Sequence, residues 1–67
     1  MKYDYYEISL PTDLEPDDKD WFENMGQHAI DQAREQARLY AVPCDWIATL
    51  INKGSLESTF RVRRRRN

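Results

Sequence analysis

Apolar and polar positions along the chain change period twice. Over residues 3–10, YDYYEISL, they alternate, with Tyr6, Ile8 and Leu10 on one face and Tyr3, Tyr5 and Glu7 on the other. Aromatic and β-branched side chains suit a pleated strand, and Pro11 ends it. The following PTDLEPDD reads as a loop entering a helix. Pro16 stands at a first helical position, and Asp17, Asp18 and Asp20 lie near the positive end of the helix dipole. From Trp21 the period becomes helical. Phe22, Met25 and Ala29 form one stripe, which Ile30, Ala33, Ala37, Tyr40 and Ala41 continue on a slowly shifting face. The opposite face is polar, with Asp31–Arg34 and Glu35–Arg38 spaced to pair at i, i+3. Gly26 costs about 1 kcal/mol inside a helix, so two helices meeting there are an alternative to one.

The segment Ala41-Val42-Pro43-Cys44-Asp45 is a break, because Pro43 disfavours helical geometry at Val42 and can itself open a new helix. Trp46, Ile47, Leu50 and Ile51 then recur at i, i+1, i+4 and i+5. That spacing predicts a short second helix, ended by Gly54. From Ser58 to Arg63 alternation returns, Phe60 and Val62 facing inward and Thr59, Arg61 and Arg63 outward, before the chain closes on a run of arginines. The expected fold is α+β, a single small domain over residues 1–67. It comprises an acidic strand and loop (1–15), a helical segment (16–41), a short second helix (44–53) and a basic strand or tail (57–67).

Composition narrows the chemistry. With 67 residues the chain builds one small core. Cys44 has no second cysteine to pair with, and Cys44 plus His28 are too few ligands for zinc, so no metal or cofactor is expected. Cys44 reads as a small half-buried side chain and His28 as a helix-flank residue. No apolar run approaches the length of a membrane span, and MKYDYYEISLP has neither the basic head nor the apolar stretch of a signal peptide. A cytoplasmic protein without a membrane partner is the expectation. Glycine-rich phosphate loops, metal-spaced clusters and nucleophile–base arrangements are missing from the sequence, and the Asp17-Asp18 pair has a structural explanation at a helix start. A core this small encloses a substrate pocket with difficulty, so neither catalysis nor a small-molecule substrate is expected.

Charge adds a direction. The formal net charge is −2, but residues 1–23 carry −6, residues 24–52 carry −1 and residues 53–67 carry +5. The acidic head and basic tail either pair with each other, within the fold or in a dimer, or leave the tail free for an anionic partner.

The stretch EQARLYAVPCDWIATLINKGSLESTFRVRRRR resembles the small winged helix-turn-helix domains of phage and mobile-element excisionases and their MerR-type relatives. Glu35, Ala37, Leu39, Ala41, Val42, Ile47, Leu50, Ile51, Gly54 and Leu56 stand at the positions of that pattern, with Phe60 and Val62 as the inward residues of a wing. Pro43, Cys44 and Asp45 depart from it at the turn, and the acidic N-terminal half has no counterpart in it. The resemblance implies an accessory or transcription-regulating protein that binds double-stranded DNA. In it Ala48, Thr49, Asn52 and Lys53 on a recognition helix would meet bases or phosphates, and Arg61, Arg63, Arg64, Arg65 and Arg66 would neutralise phosphates. A polar set this thin on the helix would call for a protein partner or a homo-oligomer. A second expectation is a non-enzymatic protein-binding module, such as a small phage-type inhibitor or adaptor, acting through the acidic N-terminal half or the tyrosine strand. There Tyr3–Leu10 would pair with Ser58–Arg63 and set Asp4 and Glu7 near Arg61 and Arg63.

Overall fold

A computed structural model describes residues 2–16, 19–38 and 45–66. Strand β1 (Lys2–Pro11) runs into a single 3-10 turn (Thr12–Leu14). Helix α1 (Trp21–Ala37) follows, then strand β2 (Trp46–Lys53) and strand β3 (Glu57–Arg66). The three strands form one antiparallel sheet in the order β1-β3-β2, so the last strand lies in the middle and the connection through α1 crosses over it. Among the described residues the fold is α+β, with one α-helix on a three-stranded sheet.

Alternation sets the faces of the sheet. Ile8, Leu10, Phe60 and Val62 point toward α1 and are buried, and Tyr6, Trp46, Ala48 and Leu50 pack around them. From the helix, Met25, Ala29 and Ala33 close this core at i, i+4 spacing. Two alanines and Gly26 on the inward stripe keep side-chain bulk low, so the helix approaches the sheet closely.

The expected first strand and the inward Phe60 and Val62 are found. Other expectations are corrected. Residues 46–53 form a strand and not a helix, and among the described residues there is one α-helix instead of two. Trp46, Ala48 and Leu50 reach the core, whereas Ile47 and Ile51, expected as core, are 45 % and 43 % exposed. The strand wins because β3, with apolar residues on its inner face, needs a hydrogen-bonding neighbour on each edge, and residues 46–53 satisfy the edge that β1 leaves open. Gly54 does not end a helix but turns the β2–β3 hairpin, where its N–H donates to the Glu57 carbonyl at 3.0 Å. Helix α1 starts at Trp21, so Pro16 lies in a turn before it, and α1 runs unbroken through Gly26. Arg38 ends it in the left-handed region (φ 57°), with its N–H on the Arg34 and Glu35 carbonyls. Asp31 accepts from Gln27 at 3.0 Å, while Arg34 extends over the Trp46 ring. The expectations for Asp17, Asp18 and residues 39–44, including Pro43 and Cys44, lie outside the described residues.

Thr12 fastens one end of the domain. Its hydroxyl donates to the Gly54 carbonyl (2.8 Å) and accepts from the buried Ser58 hydroxyl (2.7 Å). Its N–H donates to the Leu56 carbonyl (3.0 Å), and its own carbonyl accepts from Trp21 Nε1 (2.9 Å). One residue thereby ties the end of β1 to the β2–β3 turn and to the start of α1.

Candidate nucleic-acid interface

The sheet face turned away from α1 is built by the odd-numbered residues of β1 and β3. Because Phe60 and Val62 point inward, Arg61, Arg63 and Arg65 point outward along the central strand. Alternate residues of an antiparallel strand are about 6.8 Å apart, so the three guanidinium groups rise from an evenly spaced row. The register fixes their neighbours. Tyr3 lies opposite Arg65, Tyr5 opposite Arg63, Glu7 opposite Arg61 and Ser9 opposite Thr59 on the β1 side. On the β2 side Ile47 lies opposite Arg63, Thr49 opposite Arg61 and Asn52 opposite Thr59. A bulge at Ile51 shifts the register, so Asn52 shares the outer face with Thr49.

The contacts agree with this arrangement. The Arg63 guanidinium sits 5.0 Å from the Tyr3 ring centroid, and the Tyr3 and Tyr5 rings are 6.3 Å apart and tilted. Arg61 meets Glu7 at 3.6 Å, with both side chains more than half exposed, and Ser9 and Thr59 share a hydrogen bond at 3.1 Å. Tyr5 is 60 % exposed at the outer edge, and Arg65 and Thr49 are also exposed. The result is a cationic row bordered by two tyrosines on one side and by hydroxyl, amide and aliphatic groups on the other.

Charge differs between the two layers. The outer face carries Arg61, Arg63 and Arg65 against Glu7 and, at the turn end of β3, Glu57, whereas α1 carries Glu23, Asp31 and Glu35 against Arg34. The acidic head thus splits: Asp4 and Glu7 enter the sheet, and Asp13, Glu15, Asp20 and Glu23 stay with the 3-10 turn and the start of the helix. Glu15 is held there by His28 Nε2 at 3.1 Å.

Several expected contact residues lie elsewhere. Ala48 faces α1, half-buried against Gly26, and cannot reach a ligand on the outer face. Lys53 lies opposite Ser58 and caps the Trp21 ring, its ammonium 4.2 Å from the centroid. Arg64 alternates to the helix side, where it pairs with Asp4 and sits over Trp46. Asp4 therefore meets Arg64 and not Arg61 or Arg63. Arg66 pairs with Lys2 in the sheet, and its side chain lies outside the described residues. Thr49 and Asn52 are exposed as expected, but on a strand. The expected pairing of Tyr3–Leu10 with the C-terminal strand is present, and it leaves Thr49, Asn52 and the odd-numbered arginines uncovered by β1. Tyr3 and Tyr5, which the DNA-binding expectation did not include, join the arginine row only through this register.

Comparison with protein-family models, curated proteins and solved structures gives no match for this chain. The geometry of the face therefore carries the functional argument.

Proposed function

We propose that the protein is a small nucleic-acid-binding accessory or regulatory protein that grips phosphates with Arg61, Arg63 and Arg65 on its open sheet face. The observation that carries this reading is the row of three outward arginines on the central strand, on the face opposite an acidic helical layer. Such a charge division orients the molecule toward a polyanion with its sheet first. Thr49 and Asn52 add hydrogen-bonding groups beside the row. The reading keeps the nucleic-acid partner suggested by the basic tail and replaces the recognition helix with a sheet.

The test is fluorescence anisotropy of labelled oligonucleotides over a salt series, with wild type and the triple variant R61Q/R63Q/R65Q. Three neutralised phosphates give a salt slope of roughly −2 to −3, by about 0.7–0.9 per contact, and the triple variant should lose nearly all of it. Absence of binding at low salt, or an unchanged slope in the variant, removes the reading.

A second reading, a protein-binding module, draws on β1. It is an edge strand of ten residues, and the strand beside it carries only β1 and β2 as neighbours. An edge that long can accept a further strand from another chain. Pull-down with the R61Q/R63Q/R65Q variant separates the two, because strand addition at β1 survives those changes.

A further inference from the structure

We propose that the polynucleotide taken by this face is single-stranded, extended along β3 with its bases against Tyr5 and Tyr3 and its phosphates on Arg61, Arg63 and Arg65. The inference rests on the nucleic-acid reading above and specifies its ligand class.

The arginine spacing of about 6.8 Å along the strand is close to the separation of consecutive phosphates in a polynucleotide backbone, stacked or extended, so it suits one phosphate per arginine without choosing between the two. Two features argue for the single strand.

The first is shape. The major groove is about 12 Å wide and admits one helix or a two-stranded ribbon. Here the arginine row is the middle of a three-stranded sheet, about 10 Å between outer strand axes before side chains are added, with α1 behind it. The face is broader than the elements that enter a major groove, whereas an extended strand can lie along it.

The second is the placement of the aromatics. Tyr5 is 60 % exposed on an edge strand, directly opposite Arg63, and Tyr3 lies beside it at 6.3 Å. Unstacked bases need a new surface for their faces, and tyrosine rings next to a cationic track supply it without choosing a sequence. Arg63, already 5.0 Å from the Tyr3 ring, holds that ring beside the track. Paired bases inside a duplex have no free face to offer, so the tyrosines contribute to one ligand class and not to the other.

The experiment measures anisotropy at fixed low salt with labelled oligothymidylate, oligouridylate and a hairpin duplex carrying the same number of phosphates. Wild type, Tyr5→Ala and Tyr5→Phe are compared, and each is checked for folding by circular dichroism. Both single strands should bind more tightly than the duplex. Tyr5→Ala should weaken them about 5- to 150-fold, the effect of one stacking platform, and leave the duplex unchanged. Tyr5→Phe keeps the ring and should keep the affinity, which separates stacking from any loss of fold. Tight binding of only one of the two single strands still supports the proposal and identifies the sugar that is read. Duplex binding as tight as that of the single strands, or no loss in Tyr5→Ala, overturns this inference while leaving the phosphate-gripping reading in place. Failure of all three probes to bind overturns both.

Discussion

A methyl group added at Gly26, in the middle of α1, would sit 3.6 Å from the Ala48 side chain of β2, an ordinary van der Waals distance. The space already exists and the glycine is buried, so Gly26→Ala fills it without moving either element. Relief of the helical glycine is worth about 0.8–1.0 kcal/mol, and the buried methyl adds a fraction of the roughly 0.8 kcal/mol of a buried CH₂. A net gain of about 1 kcal/mol raises Tm by about 4–8 °C in a domain of this size. Gly54 responds in the opposite sense. A Cβ there would lie 2.6 Å from the Glu57 carbonyl oxygen, the same atom that accepts the Gly54 N–H. The hairpin turn must shift to relieve this clash, at a steric cost on the order of 1–3 kcal/mol. Thermal and urea unfolding followed by circular dichroism read both changes. A lowered Tm for Gly26→Ala would show that α1 and β2 approach more closely than described. A neutral Gly54→Ala would show that the turn has a different geometry. Gly26 lies under the sheet, so oligonucleotide affinity should not change in Gly26→Ala.

Further predictions follow from single contacts. Glu7→Gln removes the carboxylate 3.6 Å from Arg61 and should tighten oligonucleotide binding, with a salt slope steeper by up to about one phosphate contact; weaker binding would place the ligand off this face. Thr12→Val strands the Gly54 carbonyl and the buried Ser58 hydroxyl, and should cost about 1–3 kcal/mol in urea unfolding. Asp4→Asn weakens the half-buried pair with Arg64 and should destabilise by about 1.5–3 kcal/mol, with affinity unchanged per folded molecule because that pair faces α1. Arg38→Gly relieves a left-handed residue at the end of α1 and should stabilise by up to about 1 kcal/mol in thermal unfolding.

The two outer elements of the chain were legible because each shows a clean period of two. Tyr6, Ile8 and Leu10 in β1, and Phe60 and Val62 in β3, fall where alternation puts them. Helix α1 was legible from Met25, Ala29 and Ala33. Residues 46–53 were not, because Trp46, Ile47, Leu50 and Ile51 fit a helical stripe as well as two faces of a strand. The competing signal was the set Ile47, Thr49 and Ile51, β-branched at every second position, a pattern that suits a pleated surface better than a helix. Ala48 between them leaves room for the helix at Gly26. In the basic run the same alternation separates Arg61, Arg63 and Arg65 from Arg64, although composition reads them as one charge block. The pairing of Tyr5 with Arg63 was beyond local pattern. It depends on a register between strands more than fifty residues apart, which packing of Ile8 and Phe60 sets and no short motif encodes.

The most direct test of the open sheet face as the ligand surface is the arginine side-chain Nε–Hε NMR spectrum, recorded with increasing single-stranded oligonucleotide. Arg61, Arg63 and Arg65 share the outer face, while Arg34 and Arg64 lie on the helix side over Trp46 and serve as internal references. The account predicts shifts at Arg61, Arg63 and Arg65, accompanied by the Tyr3 and Tyr5 ring protons, with Arg34 and Arg64 unmoved. Shifts centred on Arg34 and Arg64, or spread evenly over all five, would contradict it.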